Sequence, residues 1–112
     1  MRKGEVWLIN PDTTIGAEIR KTRPAVIVSE DAIGVLPLRV IVPITDWKDR
    51  YSIAPWMVPI LPDKQNGLDK ASAADAFQIR SVAQERFVRC IGALQNDQVR
   101  KILVAIHVVI GT

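Results

Sequence analysis

The sequence predicts a mainly β domain, in which about five or six short strands bend into a small barrel or a pair of sheets with one C-terminal helix alongside. Three observations carry that expectation. Short β-branched and aromatic runs recur between Pro, Gly and Asn turn signals, two polar loops are longer than hairpins need, and helical periodicity is clearest at the end of the chain.

Taken in order, Glu5–Ile9 (EVWLI) is the first strand, ended by the turn signal Asn10-Pro11-Asp12. Thr13–Thr22 follows as a ten-residue loop, a length that in compact domains points to function rather than simple connection. Ala25–Val28 is the second strand, and Pro24 fixes the backbone where the chain enters it. Ser29-Glu30-Asp31 opens a turn or a short helical segment before Gly34. Arg39–Thr45 is the third strand; Pro43 cannot donate a ladder hydrogen bond, which predicts an edge or a strand end and brings Thr45 out at the rim.

Asp46–Pro55 is the second long loop, with Trp47, Lys48, Asp49, Arg50 and Tyr51. Trp56–Leu61 is a short strand interrupted by Pro59, and Asn66-Gly67 marks a turn within Asp63–Asp69. Ser72–Ile79 and Phe87–Leu94 read as two more strands, with a helical turn at Ala83–Arg86 between them. In the final helix Val99, Ile102, Leu103, Ile106, Val109 and Ile110 share one face, Asn96 can cap the start, and Gly111 ends it. Val104 and Val108 lie on the opposite face beside Arg100 and Lys101. The second half is therefore apolar on two sides, which suits a helix that is deeply buried or shared with a partner subunit.

A length of 112 residues fits a single domain over 1–112. The hydrophobic fraction of 48% excludes a disordered chain and leaves apolar surface that self-association would cover. Fifteen Lys and Arg against twelve Asp and Glu give a net charge of only +3, which argues against a binder that relies on charge alone. The clustering of Arg20, Lys21 and Arg23 is more informative than the total. The lone Cys90 allows no intramolecular disulfide and fits a reducing, cytoplasmic setting. There is no apolar run of membrane-spanning length and no signal-peptide pattern, so no membrane association is expected.

One His and one Cys, without HxxxH or CxxC spacing, give no metal site, and no GxxxxGK[ST] or GxGxxG phosphate loop is present. No metal or cofactor is expected. His107 lies within the last helix and reads as structural or surface. What remains is a guanidinium, hydroxyls and carboxylates on loops at strand ends. Such a set can cleave RNA, because RNA brings its own nucleophile, the 2′-hydroxyl, and needs only alignment and stabilisation of the transition-state charge. Arg23, held by Pro24 at the mouth of a strand, suits the second task; a solvated basic loop is the alternative. Trp47, Tyr51 and Trp56 offer stacking surfaces for bases, with core packing as the competing role, whereas Trp7 reads as core.

Gly4-Glu5-Val6-Trp7, the block Gly16-Ala17-Glu18-Ile19-Arg20-Lys21-Thr22-Arg23-Pro24-Ala25-Val26-Ile27-Val28-Ser29, and Val42-Pro43-Ile44-Thr45 together resemble the MazF/PemK toxins of bacterial type II toxin–antitoxin systems. Gly67-Leu68, Ser72, Gln78-Ile79-Arg80, Arg86-Phe87 and Ile91-Gly92-Ala93-Leu94 continue the pattern, so the resemblance spans essentially the whole chain.

The resemblance implies an SH3-like β-barrel, a homodimer, and metal-independent endoribonuclease (mRNA interferase) action on single-stranded RNA, with 2′,3′-cyclic phosphate and 5′-hydroxyl ends. It also implies inhibition by a cognate antitoxin. Arg23 and Thr45 match the family's catalytic pair. Glu18 and Arg20 match a mobile loop bordering the RNA groove, where Lys21 adds charge, and Ser72, Gln78 and Arg80 match positions near that groove. Trp47 joins the RNA-binding set as a stacking residue. Two positions depart from the pattern: Phe77 stands where many members carry an acid, with Asp75 two positions earlier, and Gln95 stands where relatives often have Ser, which moves the expected cap to Asn96. Related barrels act by binding a protein such as gyrase, so a non-catalytic binding module is the alternative function.

Overall fold

In the computed structural model, which describes residues 1–10 and 22–111, the apolar runs form antiparallel strands. They are β1 (Glu5–Ile9), β2 (Arg23–Ile27), β3 (Leu38–Asp46), β4 (Met57–Ile60), β5 (Ser72–Asp75), β6 (Arg80–Ala83) and β7 (Phe87–Ala93), followed by the helix α1 (Asn96–Ile110). The strands pair in the order β4–β5–β3–β2–β1–β7, with β6 also on β3. The mainly β class with a C-terminal helix is as expected. The barrel is not closed, because among the described residues β4 and β7 do not pair with each other.

Alternation along the strands sorts side chains onto two faces. On one face Val6, Val26, Val42 and Ile44 join Val58, Ile60 and Ala74 against Val99, Ile102, Ala105 and Ile106 of α1. On the other, Ile9, Ala25, Ile27 and Ile41 meet Val82 and Phe87, with Trp7 packed against them. Trp7 and Phe87 meet edge to face at 5.8 Å, so Trp7 belongs to the packing of the domain. Burying each large aliphatic side chain of these clusters contributes about 1.5–3 kcal/mol.

Pro43 corrects the sequence reading, since β3 is a central strand rather than an edge. Val28 N–H donates to Val40 O at 2.9 Å and Val26 faces Val42, so the even-numbered residues of β3 bond to β2. The odd-numbered ones face the other side, where β6 pairs with Leu38–Ile41 and β5 with Ile44–Asp46. Pro43 falls at the gap between these two partners, where a missing N–H leaves no ladder bond unmade.

The run Ser72–Ile79 is not one strand. β5 stops at Asp75, whose carboxylate accepts the Phe77 N–H at 3.1 Å and turns the chain into a 3-10 segment, Ala76–Gln78. A short acidic side chain here competes with the ladder for the backbone donor. The chain then resumes as β6, a strand the sequence does not announce, and reaches β7 through a 3-10 turn at Gln84–Arg86.

Gln95, not Asn96, is the residue that precedes the first turn of α1; its N–H donates to Gln98 Oε1 at 3.1 Å, and a reciprocal glutamine pair replaces the expected cap. Gly111 ends the helix at φ +79°, with its N–H on His107 O at 2.8 Å. Val104, Val108 and Ile110 are 59%, 51% and 63% exposed, so the second apolar face exists and includes Ile110, which periodicity assigns to the core side. No described helix is long and apolar enough to cross a membrane.

The start of the chain is tied down by Glu5. Its Oε1 accepts from Trp7 Nε1 at 3.0 Å and from the Arg2 N–H at 2.9 Å, with the N-terminal ammonium at 3.6 Å. Partial burial raises the carboxyl pKa, but the two donors and the ammonium outweigh it and hold the group below its usual value. A depressed folded-state pKa stabilises the fold above the ordinary carboxylate range and loses that contribution as pH falls through it. The stability difference between the parent and Glu5→Gln is therefore expected to be largest near neutrality and to shrink below about pH 4, as read by urea unfolding. A difference independent of pH would contradict this.

Candidate active site

A groove of about 570 Å³ opens where the strand ends converge. β2 contributes Arg23 and Pro24, and β3 contributes Ile44, Thr45 and Asp46; Leu8, Ser72, Arg89 and Ile91 complete it with residues 67–70. Consecutive residues from both strands line it, so it lies over the strand ends rather than on one flat face. Ala25 faces Pro43 at the end of the β2–β3 ladder, and Arg23 and Thr45 each lie two residues beyond that pair. Both side chains are exposed. Arg23 Nη1 donates to Thr22 O at 3.0 Å, which orients the head group while the fork keeps further donors for a ligand.

The opposite wall is a loop built on Asn66, which is fully buried. Its Nδ2 donates to Leu61 O at 2.9 Å, and its Oδ1 accepts from Leu68 N–H at 3.0 Å and Asp63 N–H at 3.3 Å. Asp63 Oδ1 in turn accepts the N–H groups of Gln65 and Asn66 at 2.7 and 2.8 Å. The loop lies directly on β7, with Ala93 N–H on Gln65 O at 2.8 Å. Glycine is required at both contacts. A Cβ on Gly67, whose φ is +72°, would stand 2.0 Å from Ile91 O, and one on Gly92 would stand 2.2 Å from Gln65 O.

Ser72 lies on the groove but is buried, and its Oγ donates to Lys70 O at 2.9 Å, so its hydroxyl shapes the loop. Lys70 Nζ sits 3.2 Å from Asp46 Oδ2 in an exposed pair. Such a pair contributes little to stability and is free to rearrange around a ligand.

Other residues singled out by the sequence fall elsewhere. Gln78 Nε2 donates to Asp75 Oδ2 at 2.8 Å, beside an edge-on Trp56–Phe77 pair at 5.8 Å, and neither it nor Arg80 lines the groove. Trp47 follows the groove residue Asp46 but is half-buried against Tyr51 at 5.9 Å, and Arg50 lies over the Tyr51 ring at 5.4 Å. Glu18, Arg20 and Lys21 lie outside the described residues.

The profile of the PemK-like, MazF-like toxins of type II toxin–antitoxin systems matches residues 2–110. The chain belongs to this family. It is 33% identical over 108 residues to the endoribonuclease MazF9 of Mycobacterium tuberculosis strain H37Rv, covering 91% of this chain and 89% of that protein. Solved structures share the fold. MazF from Deinococcus radiodurans matches with a TM-score of 0.76 at 22% identity, over 100% of this chain and 97% of that one. A mycobacterial endoribonuclease in complex with its cognate antitoxin matches with a TM-score of 0.75 at 20% identity, over 99% and 95%.

Within this MazF-type toxin the groove contains residues the sequence does not single out, namely Arg89, Lys70, Asp46 and Asp69. A lone cation inside the apolar run Phe87–Ile91 is the one signal for Arg89, and only the register, which sets it beside Leu8, turns that signal into a position. Asn66 likewise reads only as half of a turn signal. Replacing it by Ala leaves buried backbone groups unpaired, and Asn66→Ala is expected to lose about 2–4 kcal/mol of stability in urea unfolding. A loss below about 0.5 kcal/mol would show that the loop closes without it.

Proposed function

We propose that this toxin is an endoribonuclease that cleaves single-stranded RNA, mRNA included, without a metal ion. The observation that carries the proposal is the convergence of Arg23 and Thr45 on one open groove in a chain of this family. RNA supplies the nucleophile: its 2′-oxygen attacks the adjacent phosphorus, the P–O5′ bond breaks, and the proton lost from the 2′-hydroxyl is matched by one gained at the 5′-oxygen. The products are a 2′,3′-cyclic phosphate and a 5′-hydroxyl. Arg23, a permanent cation, stabilises the charge that builds on the phosphoryl oxygens, and the Thr45 hydroxyl hydrogen-bonds to the same group and aligns it. Glu18, Arg20 and Lys21 serve RNA binding from the preceding loop. Trp47 supplies a stacking face next to the groove, Ser72 shapes the wall, and Gln78 and Arg80 contact RNA beyond the groove.

The protein works in the cytoplasm, where mRNA is found, under control of a cognate antitoxin; a mycobacterial endoribonuclease of the same fold is solved in complex with its own cognate antitoxin. It acts as a homodimer. The exposed Val104, Val108 and Ile110 on α1 support that reading, because a second subunit would remove them from water.

Two experiments test these proposals. Folded Arg23→Ala is expected to lose about 10²–10³ in cleavage rate on a long single-stranded RNA in EDTA, and near-normal cutting would reject the assignment. Sedimentation at micromolar concentration is expected to give a dimer of the 12.5 kDa chain and a monomer for Val108→Glu. A parent monomer would reject the dimer.

A further inference from the structure

Arg89 is the groove's unassigned cation. It sits in β7 opposite Leu8, while Arg23 sits in β2 opposite Ile9, so the two arginines flank β1 from either side. Adjacent strands lie about 4.8 Å apart, which places the two backbones about 10 Å from each other. Both residues line the same groove. Among the described residues the Arg89 side chain makes no hydrogen bond and no ion pair, and Arg89 is exposed. An arginine between Val88 and Cys90 on a strand adds nothing to either hydrophobic cluster.

The groove carries charges of both signs. Arg23 and Arg89 come from the strands on either side of β1, Asp46 from the end of β3, and Asp69 and Lys70 from the facing loop, where Lys70 Nζ lies 3.2 Å from Asp46 Oδ2. A chain of phosphates is attracted to the two guanidinium groups and repelled from the carboxylates. We infer that Arg89 is a phosphate-binding residue that holds the RNA backbone next to the scissile phosphate, so that Arg23 and Arg89 form a track across β1 and the bases turn toward Asp69 and Lys70 on the facing loop. The inference rests on the proposed RNA cleavage for the identity of the ligand. Arg89 acts in positioning, since it holds a neighbouring phosphate rather than the reacting one.

The test uses a fluorescent single-stranded RNA with 2′-O-methyl groups, which cannot supply the nucleophile, so that binding is read by anisotropy without turnover. Arg89→Ala is expected to weaken binding about tenfold at low salt and to reduce the slope of log affinity against log salt by about 0.7, the loss of one phosphate contact to a single strand. Arg89→Lys is expected to retain the slope, since the charge remains. Arg2→Ala, which removes an exposed cation outside the groove, is expected to change neither quantity. Thermal unfolding checks that Arg89→Ala is folded. If Arg89→Ala binds within twofold of the parent with the same salt slope, the track is overturned. Failure of the parent to bind the strand overturns it as well. Arg89-dependent binding by a parent that does not cut unmodified RNA would uphold the track and reject the cleavage reading.

Discussion

β3 has more neighbours than a strand has edges, and the rest of the fold depends on how it accommodates them. One edge belongs to β2, and the other is divided between β6 and β5. The division is possible because Pro43 occupies the position where neither ladder needs a donor. Ile41 and Val42 are completely buried, while Thr45 and Asp46 are exposed on the groove. One strand thus passes from hydrophobic core to candidate chemistry within five residues, and the ladder that packs the core ends two residues short of both Arg23 and Thr45.

That arrangement bears on catalysis through preorganisation. Charge developing on a phosphoryl group is stabilised best by donors that need not move when it appears. Arg23 is held by a strand start, Thr45 by a strand end, and the facing loop by backbone contact with β7 at positions where only glycine fits. Around this frame the Asp46–Lys70 pair remains exposed and adjustable. The candidate site therefore combines a fixed part, Arg23 and Thr45 on strand ends, with an adjustable part, the Asp46–Lys70 pair.

The legibility of the sequence follows from how local each signal is. β1, β2 and α1 are written in short periodic runs, and their boundaries agree with the structure to within a residue or two. β6 is not, because Arg80-Ser81-Val82-Ala83 offers a single inward apolar residue, Val82, and because the turn before it is set by a hydrogen bond from Phe77 to Asp75. Arg23 and Thr45 stand out as a cation before proline and a hydroxyl at a strand end. Arg89 and Asn66 do not, since one depends on cross-strand register and the other on contacts with carbonyls and amides several residues away. Pro43 shows the opposite difficulty: a correct local rule, that proline cannot complete a ladder, leads to the wrong place in the sheet when a strand changes partners.

The Asn66 loop has a further consequence for how such a groove diversifies. Its anchor consists of Asp63, Asn66, the Leu68 N–H and the two glycine contacts, whereas Asp69 and Lys70 extend past the anchor to the groove. Folding requirements and ligand requirements thus fall on different residues of one short segment. Changes at 69 and 70 alter the chemistry facing a ligand without touching the bonds that close the loop, so new preferences can arise by drift at these positions while the scaffold stays intact.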